Sequence, residues 1–128
     1  MKASVRTAQG TYEIDLEEEA LLGEADEFEP ASVSVELPRV VAAAASGATV
    51  VAIVDRRPPL AISNDAGATW REAGGGLPPG FAIAIHDDDP DTMLFAARNR
   101  LYVSSNGGVF WRALSLELPD IEVCAWID

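Results

Sequence analysis

Ser63-Asn64-Asp65-Ala66-Gly67-Ala68-Thr69-Trp70 is the stretch on which the reading of this chain turns. A hydroxyl, an amide and a carboxylate lead into a glycine and end on tryptophan, a composition that marks a tight turn feeding a packed strand. With its flanks, residues 60–71, it aligns with residues 101–112 at an offset of 41. Ser63, Gly67, Trp70 and Arg71 then fall on Ser104, Gly108, Trp111 and Arg112, Asp65 falls on Asn106, and Thr69 on Phe110. A second marker recurs in step, because Leu37-Pro38, Leu77-Pro78 and Leu118-Pro119 are 40 and 41 residues apart and each precedes an apolar run. The chain is a repeat with a period of about 40 residues.

Within one period the pattern is that of short strands, with alternating and β-branched apolar residues bounded by Gly, Pro, Asp and Asn. The sequence predicts strands A to D at residues 81–87, 92–98, 100–104 and 110–114, and in the preceding unit at 39–46, 49–55, 59–63 and 69–73. Ser46-Gly47, Asp89-Pro90-Asp91 and Asn106-Gly107-Gly108 supply the turn residues between them. Four strands per period of about 40 residues match a propeller blade, whereas helical solenoids need a 3.6-residue periodicity that is missing here. The fold class expected is therefore all-β, built of four-stranded antiparallel β-propeller blades.

The two ends are read as one shared blade. Residues 3–9 and 11–16 read as strands B and C, residues 31–36 as strand D, and residues 121–128 as a further strand A after which the sequence stops. The division expected is a partial blade over 1–38, whole blades over 39–78 and 79–118, and strand A over 119–128. Three blades are fewer than the 4–8 of an ordinary propeller. We expect a homodimer in which strand A of one copy completes the blade begun by strands B, C and D of another, closing a six-bladed ring without exposed sheet edges. A fragment of a longer chain is the rival. Residues 16–29, with Glu17, Glu18, Glu19, Glu24, Asp26, Glu27 and Glu29, read as an acidic insertion, either a mobile loop or a helix of one or two turns.

Residues 63–70 resemble the Asp-box, S-x-D-x-G-x-T-W, of the BNR repeats of sialidases, sortilin-type receptors, some xyloglucan hydrolases and photosystem assembly propellers. Ser63, Asp65, Gly67, Thr69 and Trp70 match every defining position, and Ser104, Asn106, Gly108 and Trp111 form a degenerate second copy. Asp89-Pro90-Asp91-Thr92 is similar to the stretch entering strand B in those repeats. The resemblance implies a structural role on the blade rim: the Asp or Asn accepts backbone N–H groups, the glycine supplies a positive φ and the tryptophan packs between sheets.

Composition narrows the function. The 128 residues carry 21 Asp+Glu against 9 Lys+Arg, a net charge of −12, and 48% are hydrophobic. That charge repels phosphate backbones, and no nucleic-acid partner is expected. No apolar run approaches the roughly 20 residues that span a bilayer, and no signal-peptide pattern opens the sequence, so a cytoplasmic protein without membrane contact is expected. One histidine, His86, and one cysteine, Cys124, exclude a disulfide and a zinc site, and neither metal nor cofactor is expected. The abundance of Ala, Gly, Arg and Asp points to a GC-rich or salt-adapted source.

Three candidate sites stand out. A sialidase-like site would need an arginine cluster and a tyrosine nucleophile, but Tyr12 and Tyr102 sit in strand patterns. Asp87, Asp88, Asp89 and Asp91 beside His86 are the densest acidic cluster outside the insertion, although four acids in one turn ordinarily form a solvated loop. Arg56 and Arg57 lie at one B–C turn, and Arg98 and Arg100 at the equivalent turn of the next blade, so all four fall on one face where they could hold an acidic protein or glycan partner, or the acidic insertion. Trp126 is a further aromatic candidate. The function expected is a non-catalytic binding or scaffold module; the alternative is a glycoside hydrolase-like propeller fragment of sialidase or xyloglucanase type.

Overall fold

Runs such as Thr49-Val50-Val51-Ala52-Ile53-Val54 place β-branched residues on both faces of a strand, which suits a sheet covered on both sides. The computed structural model, which describes residues 1–29 and 33–127, forms twelve strands and no helix among the described residues. They are β1 (Lys2–Thr7), β2 (Gly10–Asp15), β3 (Ala20–Glu24), β4 (Val40–Ser46), β5 (Thr49–Val54), β6 (Leu60–Ser63), β7 (Arg71–Ala73), β8 (Ala82–Ile85), β9 (Met93–Ala96), β10 (Arg100–Ser104), β11 (Arg112–Glu117) and β12 (Ile121–Trp126). Three four-stranded sheets result, all pairs antiparallel: sheet I in the order β4-β5-β6-β7, sheet II as β8-β9-β10-β11, and sheet III as β12-β1-β2-β3. This is the layout of three propeller blades.

Sheet II lies in the middle and is buried on both faces. Strand β8 packs against β4 and β5 on one side and against β12 on the other. Alternation divides its side chains between two cores. Ala82, Ala84, Leu94, Ala96, Leu101 and Val103 meet Ala3, Val5, Ile14, Leu16 and Cys124 of sheet III and its edges. Ile83, Ile85, Met93 and Phe95 meet Val51, Ile53, Leu60 and Ile62 of sheet I. Phe95 is fully buried there, edge-on to Tyr102 and Trp111 with ring centroids 5.9 Å apart in both cases. Burial of one side chain of this size contributes about 1.5–3 kcal/mol.

Within the single chain, strand β12 pairs with β1, from Ala3 opposite Trp126 to Thr7 opposite Ile121. The reason lies in the core: Ile121 and Cys124 on β12 enclose, together with Ala3 and Val5, the apolar face of sheet II. The fourth strand of sheet III is β3, inside the segment read as an insertion, and not residues 31–36. Of those, 31 and 32 lie outside the described residues, and 33–36 form no strand. The Asp15 carboxylate explains the turn into β3: it accepts the N–H groups of Glu17 and Glu18 at 2.9 and 3.1 Å. Those bonds, from Glu18 first, lower the Asp15 pKa.

The two outer faces of the arc differ. Sheet I turns Ala43, Ala45, Ala52 and Ala61 away from sheet II, opposite to Ala42, Ala44, Val51 and Leu60. Ala52 and Ala61 are nonetheless buried. Residues Val33, Ser34, Val35 and Glu36 run beside this face and enclose, with Val50, Ala66, Gly67 and Trp70, a cavity of about 410 Å³. Sheet III presents polar residues instead: Ser4, Arg6 and Glu13 share its outer face, and Arg6 reaches Glu122 at 3.3 Å and Glu29 at 3.5 Å.

Candidate functional site

Two B–C turns and the connection from sheet I to sheet II converge on one side of the arc. The first turn, Asp55-Arg56-Arg57-Pro58-Pro59, is closed by Val54 N–H donating to the Pro59 carbonyl at 2.7 Å, and Asp55 N–H donates to Arg39 at 2.9 Å. In the second, Ala97 N–H donates to Arg100 at 2.9 Å. Leu118 and Ile121 N–H groups clamp the same turn through the Asn99 and Arg98 carbonyls at 2.9 and 2.7 Å. Both turns are thereby held on the backbone, leaving the side chains to face outward.

The connection Gly74-Gly75-Gly76-Leu77-Pro78-Pro79-Gly80 forms the floor between them. Gly74 has φ 79°, and Leu77 N–H donates back to its carbonyl at 3.0 Å. A Cβ on Gly80 would lie 2.4 Å from the Phe95 ring, so only glycine lets the chain press this closely on the core.

Three cavities open side by side along this floor. One of about 270 Å³ is lined by Arg56, Arg57, Pro59 and Leu77; one of about 630 Å³ by Arg57, Pro58, Pro78 and Tyr102; and one of about 480 Å³ by Phe81, Arg98, Asn99, Arg100 and Tyr102. Pro79 borders all three, Arg57 joins the first to the second and Tyr102 the second to the third. Together they make one groove. The four arginines predicted to share a face all border it. Arg98 is tied to Asp120 at 3.3 Å and Arg100 to Glu117 at 2.8 Å, whereas Arg56 and Arg57 are exposed and make no ion pair among the described residues. The floor and Tyr102 were missed as site residues, although the Gly/Pro density of residues 74–80 is visible in sequence.

The other candidates fall elsewhere. Asp89 organises its own turn, accepting the Thr92 hydroxyl at 2.9 Å and the Asp91 N–H at 3.2 Å. His86 stacks edge-on to Trp126 at 5.2 Å, and Trp126 Nε1–H donates to the Ala84 carbonyl at 3.2 Å. Between strands β4, β8 and β12 lies a cavity of about 220 Å³ bordered by Glu29 and Asp87, with Ala43, Ile85, Cys124 and Trp126 among its apolar walls. Burial pushes the Cys124 thiol up to about 12, which leaves it without nucleophilic thiolate near neutrality. Among the described residues no three His, Cys, Asp or Glu side chains gather so as to hold a metal ion. Among the described residues no helix is long and apolar enough to cross a membrane.

Both repeated turns are stapled as their residue types predict. Asp65 accepts the Ser63 hydroxyl at 2.7 Å, Thr69 N–H at 2.8 Å and the Thr69 hydroxyl at 2.6 Å. These bonds, with the Thr69 hydroxyl foremost, hold its pKa down to about 2. Asn106 accepts the Ser104 hydroxyl and Phe110 N–H, each at 3.0 Å. Ser63 and Ser104 in turn accept the Gly67 and Gly108 N–H groups at 2.8 and 2.9 Å. Trp111 packs between sheets I and II; Trp70, at the end of the arc, has residues 33–36 beside it in place of a sheet.

No protein-family model matches the chain, and no curated protein matches it either. Among solved structures it is similar to the crystal structure of the Niastella koreensis GH74 enzyme, with a TM-score of 0.56 and 20% sequence identity over 95% of this chain. The match takes in 18% of that enzyme, so the chain spans less than a fifth of its length. The likeness is one of fold.

Proposed function

We propose that this chain is a non-catalytic β-propeller binding module of BNR type, and that it holds an anionic protein or glycan partner in the groove between sheets I and II. The observation that carries the reading is the continuity of the groove: three adjoining cavities share Pro79 and bring Arg56, Arg57, Arg98 and Arg100 to one rim. In a chain of net charge −12 such a basic rim is a local exception, and opposite charge there raises both encounter rate and selectivity for an anionic partner. The reading holds for the arc alone and for two arcs joined in a six-bladed ring.

The test is binding of fluorescent acidic peptides and anionic oligosaccharides at low ionic strength. We expect binding that weakens with salt and falls at least tenfold in R56A/R57A, with the circular dichroism spectrum unchanged. Equal binding by wild type and variant would overturn the assignment of the groove.

A second reading, a glycoside hydrolase-like fragment, is favoured by Glu29 and Asp87 facing the cavity between β4, β8 and β12. It requires glycosidase turnover that disappears in E29Q or D87N.

A further inference from the structure

The groove reads as a site for a particular kind of anion. Pro58, Pro59, Pro78 and Pro79 form much of its wall, and proline has no N–H to donate. A ligand covered with hydroxyls would lose water there and find few donors in exchange. An apolar side chain, in contrast, gains by entering between the prolines and the ring of Tyr102, which is itself held edge-on to Phe95. Net positive charge lies at one end, where Arg56 and Arg57 outnumber the Asp55 carboxylate that borders the same cavity. Arg98 and Arg100 already hold Asp120 and Glu117, so the cations that remain without an ion pair among the described residues at this rim are Arg56 and Arg57. The complementary ligand is an acidic peptide carrying one bulky apolar residue.

The chain contains such a segment. Glu24-Ala25-Asp26-Glu27-Phe28-Glu29 sets four carboxylates around one aromatic ring. Asp26, Glu27 and Glu29 are exposed and Phe28 is half-buried. The segment is anchored on sheet III, through Ala25 N–H donating to the Thr11 carbonyl at 2.9 Å and Glu29 meeting Arg6 at 3.5 Å. Glu29 borders the cavity between β4, β8 and β12, and none of residues 24–29 lines the three cavities of the groove, so the segment does not serve its own groove.

Resting on the groove as the binding face, we propose that its occupant is residues 24–29 of a second copy, with Phe28 between the prolines and Asp26 and Glu27 against Arg56 and Arg57. Two copies related by a twofold axis exchange this contact reciprocally, each giving a segment and a groove. The resulting homodimer needs no exchange of strand β12.

The experiment is light scattering of the full chain across concentration and salt. We expect twice the 13.6 kDa monomer mass at low salt, shifting to monomer at high salt. F28A, R56E/R57E and D26R/E27R should each be monomeric with the wild-type circular dichroism spectrum, and combining the two charge reversals should restore the dimer. A synthetic peptide of residues 23–30 should dissociate the wild-type dimer and bind F28A. Monomers at every concentration, or a dimer indifferent to all these variants, would overturn the proposal. If the chain then still bound other anionic probes through Arg56 and Arg57, the groove would stand as a binding face with a different occupant.

Discussion

The turns over residues 63–70 and 104–111 occupy the same place in successive sheets, yet different forces hold them. The first relies on its own polar atoms: Asp65 gathers three strong hydrogen bonds, and Thr69 supplies two of them through its hydroxyl and N–H. The second lacks the threonine hydroxyl, because Phe110 stands there with 70% of its surface exposed. Its support comes from the neighbouring sheet. Gly107 and Gly108 are buried and Arg71 of sheet I donates to the Gly107 carbonyl at 2.8 Å, while within the turn Trp111 Nε1–H donates to the Gly108 carbonyl at 2.9 Å. Packing against sheet I replaces what the degenerate sequence gave up. Where no sheet adjoins, as at Trp70, the full set of hydrogen bonds is kept.

Glycine substitutions should separate the two modes most sharply. Gly67 and Gly108 both have positive φ, at 92° and 84°, so alanine at either costs about 1–3 kcal/mol of backbone strain. At Gly108 a Cβ would also lie 2.6 Å from Ile62 Cδ1, adding overpacking of about 1–3 kcal/mol, while at Gly67 the nearest contact is Trp70 at an ordinary 3.6 Å. Denaturant unfolding should therefore show G108A roughly twice as destabilised as G67A; equal losses would mean that sheet I gives no support.

The next effect depends on pH. The Asp65 pKa is lower folded, about 2, than its ordinary 3.8, so its hydrogen bonds stabilise the fold above the unfolded value and the contribution fades as pH falls from about 4 through about 2. D65N, which leaves a neutral acceptor as at Asn106, should have a lower Tm than wild type at pH 6. The gap should narrow as pH falls from about 4 towards 2 and close only below that, and a gap independent of pH would refute the carboxylate's role.

The smallest change expected is in F110T. It restores a hydroxyl near Asn106 and removes an exposed ring, and thermal melts should show a shift of under about 1 kcal/mol, because packing already holds this turn. A large gain would show that the missing hydroxyl had been a real deficit.

How much of this was legible in sequence depended on whether a feature was local. Ser63, Asp65, Gly67, Thr69 and Trp70 act within eight residues, and their spacing alone predicts the turn, its hydrogen bonds and the strands on either side. The B–C turns were legible for the same reason, so Arg56, Arg57, Arg98 and Arg100 could be placed on one face from the repeat. Strand β3 was hidden because Ala20-Leu21-Leu22-Gly23-Glu24 sits among acidic residues and only its pairing with β2, Ile14 opposite Leu21, brings out its strand character. Residues 31–36 read as strand D from their place before Leu37-Pro38, but 33–36 form no strand, since a half-buried stretch beside a sheet shows the same period of two as a strand within one.

By itself, then, the sequence determined the period, the four-strand unit and the chemistry of its turns, since each depends on residues that are neighbours along the chain. Tertiary structure alone decided that β12 pairs with β1 within the single chain, that residues 74–80 floor a groove joining two turns, and which arginines keep their charge uncompensated. Those outcomes depend on contacts between residues far apart in sequence, where core burial and ion-pair partners are settled only once the sheets have packed.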